Sequence, residues 1–181
     1  MMRFVTTNDG KFRELAHILE GHKIHIDRLD RDYPELQAES LEEVVRYALE
    51  VLGKSLDDIV VDDSGMFVEA LNGFPGVYSS HAFRTIGAAG ILHLLKGETN
   101  RNARFETVLG LRRHGRSHLV SGECKGTIAQ KARGRSGFGF DPIFVPVGHK
   151  LTFAEMNAEE KNGISHRGNA ARALVRLLSG G

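Results

Sequence analysis

Cysteine and long apolar runs are almost absent from this sequence, and each absence removes a class of protein. The single cysteine, Cys124, excludes an internal disulfide and a cysteine-rich zinc site. No segment reaches the about 18 consecutive apolar residues of a membrane-spanning helix, and residues 1–9 become polar too early for a signal peptide. We therefore predict a cytoplasmic protein that does not associate with membranes.

Neither sign of charge predominates. The 24 lysines and arginines face 23 aspartates and glutamates, which gives a formal net charge of +1. A protein that binds nucleic acid through a broad basic field is not expected from this balance, so we predict no stable nucleic-acid partner. The length of 181 residues and the hydrophobic fraction of 41% are typical of one globular domain, here 1–181.

Hydrophobic periodicity predicts a mixed α/β fold with a central sheet flanked by helices. The predicted strands cover residues 3–6, 23–27, 59–61, 103–112, 117–129 and 143–145. The predicted helices are one that Gly21 ends, one from Ser40 to about Gly53, one near 86–96, a short one after Asn157 and a last one after Ser165. Ser40 and Glu43 have the spacing of a capping box. Glycine-rich loops separate several of these elements.

Two adjacent carboxylates, Asp62 and Asp63, follow the all-apolar strand 59–61. Like charges side by side repel, so the pair favours a hard cation such as Mg²⁺. Asp-Ser-Gly is equally typical of a turn, and the dipeptide alone does not decide between the two. A buried strand that leads directly into both acids favours the metal or catalytic interpretation. Ser64 lacks the Gly-x-Ser-x-Gly context of a nucleophile.

A polar turn between the first strand and the first helix predicts a phosphate contact. Small polar residues and a glycine at a helix N-terminus expose backbone N–H groups, and a lysine adds a positive charge. The alternative is an ordinary Asx cap with a solvated lysine, which the turn alone favours. The Walker A spacing is absent. The residues of this turn are Thr6, Thr7, Asn8, Asp9, Gly10 and Lys11.

Aromatic residues alternate with glycines in the segment 136–142. Phe138 and Phe140, with Gly139 between them and Asp141 after them, can offer a flat face for a base. The commoner alternative is a loop whose phenylalanines pack inward. The segment also resembles the core of an RNP1 motif, but Ser136 precedes it and Asp141-Pro142 breaks the strand that this motif requires.

Basic side chains cluster in the segment 161–168. Lys161, His166 and Arg167 lie there within a few positions of one another, and arginine can bond a keto edge or a phosphate in bidentate fashion. A basic surface turn is an equally good interpretation of this segment alone. Taken together, an acid pair, a phosphate-type turn, an aromatic loop and a basic segment predict a site for a nucleotide polyphosphate and Mg²⁺.

The chain also resembles the inosine triphosphate pyrophosphatase family, whose members hydrolyse deaminated purine nucleoside triphosphates. Thr7 stands where the family usually has glycine, and Phe140 where it usually has tyrosine. The resemblance covers nearly the full length. It rests on Thr7-Asn8-x-x-Lys11, Tyr33-Pro34-Glu35-x-Gln37, Asp62-Asp63-Ser64-Gly65, Phe74-Pro75-Gly76-Val77-Tyr78-Ser79, Gly137-Phe138-Gly139-Phe140-Asp141-Pro142-Ile143-Phe144, Thr152-Phe153-Ala154-Glu155-Met156 and Lys161-x-x-x-Ser165-His166-Arg167.

The resemblance implies an α/β fold with a long central mixed sheet and two lobes, with the active-site cleft between them. It implies a homodimer that converts ITP, dITP or XTP and water into the nucleoside monophosphate and pyrophosphate. Such an activity removes these nucleotides from the pool before they enter DNA or RNA. The implied cofactor is Mg²⁺, one or more ions per subunit, with Mn²⁺ as a substitute.

The resemblance also implies a role for each matching residue. Lys11 and the turn 6–10 hold the phosphates, and Lys11 assists catalysis. Glu35, Asp62 and Asp63 lie at the metal, with Asp63 as the base for the attacking water. The residues implied to contact the substrate elsewhere are Ser64, Phe138, Gly139, Phe140, Asp141, Lys161, His166 and Arg167.

Two other functions are considered. One is a related nucleotide pyrophosphatase of the Maf-like type, acting on pyrimidine or modified nucleotides, against which the His166-Arg167 segment argues. The other is an RNA-binding module built on the Phe138 and Phe140 loop, against which the near-neutral charge and the acid pair argue.

Overall fold

The computed structural model describes residues 1–33 and 36–180. The chain divides into two compact units. Unit 1 comprises Met1–Asp63, Thr107–Gly122 and Arg167–Gly181, and unit 2 comprises Ser64–Glu106 and Glu123–His166. Each unit has its own hydrophobic core, one built around Phe4, Leu15 and Val60 and the other around Phe105, Phe144 and Phe153.

The described residues form seven strands: β1 (Arg3–Val5), β2 (Asp27–Leu29), β3 (Ile59–Val68), β4 (Pro75–Gly76), β5 (Asn102–Arg113), β6 (Arg116–Ile128) and β7 (Phe144–Pro146). They make a mixed sheet in the order β2-β1-β3-β5-β6-β7, with β4 paired to β3. The mixed α/β fold predicted from the sequence is therefore confirmed. The α-helices are α1 (Asp9–Gly21), α2 (Leu41–Gly53), α3 (Ser79–Thr85), α4 (Gly87–Leu94), α5 (Ala158–Ile164) and α6 (His166–Ser179).

In unit 1, β1 pairs in parallel with both β2 and β3, so that Arg3 lies opposite Asp27 on one side and Ile59 on the other. Helix α2 buries an apolar stripe that includes Val45 and Leu49. The stripe lies so close to β5 that a Cβ on Gly110 would come within 2.5 Å of Val45. Glycine at this position therefore allows the close approach of helix and strand.

In unit 2, β3 and β4 pair antiparallel, with Met66 opposite Gly76. A Cβ on Gly65 would lie 2.4 Å from the carbonyl oxygen of Gly76. Gly65 is thus required by the approach of a neighbouring backbone, and it lies inside a strand. Strand β7 pairs antiparallel with β6, with Val145 opposite Thr127.

Two predicted strands differ from the structure by more than one residue at an end. The second strand covers 27–29 and not 23–27, because Lys23 and Ile24 donate their backbone N–H groups to carbonyl oxygens at the C-terminus of α1, and Lys23 has a positive φ of 60°. The third strand does not end at Val61 but continues through Val68. Asp62 and Asp63 consequently lie within the strand, and the turn alternative for them is wrong.

The helix predicted near 86–96 is α4, and a further short helix that was not predicted, α3, precedes it. The capping box predicted at α2 is only half formed, because Ser40 accepts from the Glu43 N–H whereas the Glu43 carboxylate accepts from Glu39. Among the described residues, no helix combines the length and the apolar character needed to cross a membrane.

Candidate active site

The turn between β1 and α1 is an Asx cap that leaves its tip exposed. The Asn8 side chain accepts a hydrogen bond from the Lys11 N–H at 3.0 Å, and the Thr6 hydroxyl accepts one from the Asn8 N–H at 3.1 Å. Thr7, Asn8 and Asp9 are exposed, and Gly10 is half-buried in the first turn of α1. The turn presents the positive end of the α1 dipole, a location that favours an anion.

Arg28, on β2, bonds to this turn and was missed by sequence reasoning. Its guanidinium donates to the carbonyl oxygens of Thr6 at 3.0 Å and Thr7 at 2.9 Å. It also pairs with the carboxylates of Asp9 and, at 3.1 Å, Asp30. No local spacing pattern links an arginine to a turn that lies about twenty positions earlier, so only the parallel pairing of β1 and β2 brings them together.

A buried ion-pair network joins three elements of unit 1. Lys11 Nζ lies 3.0 Å from a carboxylate oxygen of Asp62, and Arg167 Nη2 lies 3.5 Å from the other. Arg167 also donates to the carboxylate of Glu14 on α1. The side chains of Asp62 and Arg167 are 2% and 1% exposed. The alternative of a solvated lysine at position 11 is therefore wrong.

Asp63 and Ser64 follow Asp62 along β3 and are both half-buried. Consecutive side chains of a strand point to opposite faces, so Asp62 and Asp63 do not share one face as a side-by-side pair. Asp62 is enclosed and bonds to two cationic side chains. Asp63 is the more accessible carboxylate of the two.

The predicted metal ligand Glu35 lies outside the described residues. Over 1–33 and 36–180, no group of three or more His, Cys, Asp or Glu side chains is arranged to hold a metal ion. The donor chemistry of Asp63 nevertheless fits a hard cation, since Mg²⁺ takes one or two carboxylates and keeps several waters. Asp62 fits less well, because its oxygens already accept from Lys11 and Arg167.

In unit 2, Asp141 organises the aromatic loop. One of its carboxylate oxygens accepts from the Phe138 N–H at 2.8 Å and from Lys161 Nζ at 2.5 Å. Gly137 has a φ of +74°, and a Cβ there would lie 2.1 Å from the same oxygen. The side chains of Asp141 and Lys161 are both buried, so they stabilise the loop from the protein interior.

Phe138 and Phe140 differ in their surroundings. Phe140 is 3% exposed and packs edge-on against Phe83, with ring centroids 5.3 Å apart. Phe138 is half-buried, and Lys161 Nζ lies 5.1 Å from the centre of its ring. The alternative in which the phenylalanines of this loop pack inward is therefore correct for Phe140. Gly139, between them, is half-buried with a φ of +61°. The segment forms no strand, so the RNP1 interpretation is wrong.

The basic segment 161–168 is enclosed. His166 is 4% exposed and stacks on Phe105 with ring centroids 4.6 Å apart and an interplanar angle of 12°. Lys161 and Arg167 are also buried. The alternative of a basic surface turn is therefore wrong, and the contact of these residues with a nucleotide base stays a prediction.

The single cysteine has no nucleophilic character. Burial and the neighbouring carboxylate of Glu123 raise the pKa of the Cys124 thiol from 9.0 to about 11. The thiol is therefore protonated at neutral pH, whereas the thiolate is the reactive form.

Comparison with known proteins connects these residues to a family. The Ham1 family model matches residues 2–177. The chain is 48% identical over 176 residues to a dITP/XTP pyrophosphatase of Pyrococcus horikoshii, an alignment that covers 97% of this chain and 95% of that protein. It is 51% identical over 176 residues to a dITP/XTP pyrophosphatase of Methanopyrus kandleri, covering 96% and 92%.

Solved structures give the same result. The Ham1 protein of Staphylococcus aureus superposes with a TM-score of 0.84 at 30% identity and 99% coverage of both chains. A HAM1 protein of Coxiella burnetii superposes with a TM-score of 0.81 at 28% identity, covering both chains completely. These matches exclude the Maf-like and RNA-binding alternatives as family assignments. The chain belongs to the Ham1 family.

Proposed function

We propose that this chain hydrolyses deaminated purine nucleoside triphosphates, namely ITP, dITP and XTP, to the nucleoside monophosphate and pyrophosphate. Water attacks the α-phosphorus, the bond between that phosphorus and the α–β bridging oxygen breaks, and pyrophosphate leaves with the bridging oxygen. The observation that carries the proposal is the Lys11–Asp62 ion pair, which fixes a lysine beside an exposed helix N-terminal turn. The two relatives described above carry the name dITP/XTP pyrophosphatase.

The geometry of unit 1 supports a polyphosphate ligand. Asp62 anchors Lys11, so the ammonium group is held in place before substrate arrives and loses little freedom on binding. The ammonium and the positive end of α1 together stabilise negative charge that develops on the leaving pyrophosphate. Lys11 therefore contributes to binding and to the chemical step.

Asp63 is the proposed base. It is more accessible than Asp62, and it is Asp62 whose oxygens hold Lys11 and Arg167. A carboxylate near the reacting phosphorus can orient and deprotonate the attacking water. Asp62 has a different role, because its bonds to Lys11 and Arg167 make it the acceptor that positions two cations.

The proposed cofactor is Mg²⁺, one or more ions per subunit, with Mn²⁺ as a substitute. Asp63 and Glu35 are the carboxylates we assign to it, whereas the oxygens of Asp62 accept from Lys11 and Arg167. When bound, the ion would supply positive charge that neutralises the phosphates and would lower the pKa of a bound water. The half-buried carboxylate of Asp63 supports this assignment, since Mg²⁺ takes one or two carboxylates and keeps several waters.

In unit 2, Phe138 is the proposed stacking surface for the purine. Its half-buried ring is held by Asp141 through the backbone and lies near the Lys161 ammonium. Because these contacts hold the ring in place, stacking a base on it costs little conformational entropy. Phe140 instead supports the loop through its contact with Phe83.

The same proposal includes a homodimer. Large apolar side chains are exposed along one stretch of unit 2, where a second copy would cover them. They are Phe74, Tyr78, Phe83, Ile86 and Leu94. Replacing Leu94 with Glu should shift the molar mass measured by light scattering toward that of the monomer, whereas Glu98→Lys, an exposed site beyond α4, should not.

The cytoplasm is the proposed compartment, since the substrate is a nucleoside triphosphate. The experiment that tests the proposed function is release of pyrophosphate from a nucleotide panel in the presence of Mg²⁺ and in excess chelator. Stepwise release of single phosphates from dITP, or full activity in chelator, would contradict it.

A further inference from the structure

The turn that carries the proposed phosphate contacts is bonded to one side chain of the neighbouring strand. Arg28 donates from Nε to the carbonyl oxygen of Thr6 at 3.0 Å and from Nη2 to that of Thr7 at 2.9 Å. Its side chain is 24% exposed. One guanidinium therefore fixes two successive carbonyl groups, and a planar guanidinium is well suited to this because its donors have a rigid geometry.

The first turn of α1 contains a charge that opposes the proposed ligand. Asp9 is exposed, and its carboxylate lies two positions before Lys11, where a triphosphate would bind. A carboxylate and a phosphate that lie close together repel each other, and the repulsion rises when the ligand displaces water. The Asp9 carboxylate pairs with Nη1 of Arg28, and the Asp30 carboxylate lies 3.1 Å from Nη2.

We propose that Arg28 is a positioning residue of the phosphate turn. It holds the Thr6 and Thr7 carbonyls in place and pairs with Asp9, so that the Asp9 carboxylate opposes a bound polyphosphate less strongly. This inference rests on the proposed function for the location of the ligand. Arg28 acts through its contacts with the turn and does not itself contact the substrate.

The test compares Arg28→Gln, Arg28→Lys, Asp9→Asn and the double variant Arg28→Gln/Asp9→Asn with the wild type. Two quantities are measured: kcat and KM for pyrophosphate release from dITP, and the dissociation constant of tripolyphosphate by calorimetry. Arg46→Gln, which removes one positive charge from an exposed position on α2, is the matched control. Thermal unfolding is recorded for every variant.

We expect Arg28→Gln to raise KM and the tripolyphosphate dissociation constant about tenfold, the size typical of one lost charge-assisted contact, with a much smaller change in kcat. The double variant should recover most of that loss, because Asp9→Asn removes the charge that Arg28 neutralises. Arg28→Lys should lie between Arg28→Gln and the wild type, and Arg46→Gln should match the wild type.

Three results would overturn the inference. Arg28→Gln could leave both constants unchanged, Arg46→Gln could raise them as much as Arg28→Gln does, or Asp9→Asn could fail to relieve the loss. The last result would reduce Arg28 to a purely structural residue. The tripolyphosphate arm separates this outcome from failure of the proposed function: a wild type that binds tripolyphosphate with the expected pattern but releases no pyrophosphate contradicts the function and supports the inference.

Discussion

The carboxylate of Asp62 lies 3.0 Å from Nζ of Lys11, although 51 positions separate the two residues in the sequence. The pair joins β3 to the first turn of α1, and Arg167 of α6 approaches the second oxygen of the same carboxylate. A buried acid that binds two cations is a stabilising element only as long as all partners are present. Asp62 therefore positions Lys11 and Arg167, whereas Asp63 is the proposed base.

Removal of Asp62 should lower the stability of the protein. Asp62→Ala removes the buried carboxylate that Lys11 and Arg167 share and leaves buried Arg167 with the Glu14 carboxylate, and we expect the free energy of unfolding to fall by about 3 to 5 kcal/mol. Urea denaturation measures this. Asp30→Ala, which breaks an exposed pair with Arg28, should cost less than about 1 kcal/mol. A small loss for Asp62→Ala would contradict the buried network.

Asp63→Asn should abolish most of the activity and leave the fold intact. The substitution retains shape but removes the charge that activates water, and loss of a general base lowers turnover by about 10²- to 10⁴-fold. Steady-state kinetics with dITP and a denaturation curve measure both effects. Glu42→Gln, at an exposed carboxylate on α2, is the control. Turnover near the wild-type value in Asp63→Asn would exclude Asp63 as the base.

The two phenylalanines of the 136–142 segment should respond differently to truncation. Phe138→Ala should raise KM for all purine triphosphates, because base stacking is worth about 1 to 3 kcal/mol, with little loss of stability. Phe140→Ala removes a core side chain and should lower the free energy of unfolding by about 3 to 5 kcal/mol. Kinetics and denaturation on both variants test the assignment, which equal stability losses would contradict.

Cys124 should make stability depend on alkaline pH. Its pKa is raised from 9.0 to about 11 in the folded protein, so the folded state retains the proton longer than the unfolded state. The stabilising contribution is complete below pH 9.0 and is lost as the pH rises toward 11. The fall in unfolding free energy between these limits should be smaller in Cys124→Ala than in the wild type. Identical pH profiles for the two proteins would contradict the raised pKa.

Local sequence patterns predicted the elements whose signals are local. The helix from Ser40 to about Gly53 and the short helix after Asn157 are as expected. The position of β2 was missed because the α1 C-terminus takes the N–H groups of Lys23 and Ile24. The position of Asp62 and Asp63 inside β3 was missed because Asp-Ser-Gly is typical of a turn. Gly65 is instead a strand residue whose missing Cβ allows the backbone of Gly76 to come close.

The candidate site was predicted in composition but not in arrangement. Side-chain types at fixed spacings pointed to phosphate and purine chemistry, and Lys11, Asp62 and Arg167 do come together. The spacing could not show that Asp62 is buried between two cations, since these come from distant helices. Arg28 was not predicted at all, because its contacts depend on the register between β1 and β2.

The most direct test of the proposed function is kcat/KM for pyrophosphate release from dITP, ITP, XTP, ATP and GTP with Mg²⁺. The deaminated bases carry a 6-keto acceptor where adenine has an amino donor, and they lack the 2-amino group of guanine. Unpaired buried polar groups can separate such substrates strongly. We predict that ITP, dITP and XTP exceed ATP and GTP by at least about tenfold. Comparable values for ATP and ITP, or release of orthophosphate in place of pyrophosphate, would contradict the account.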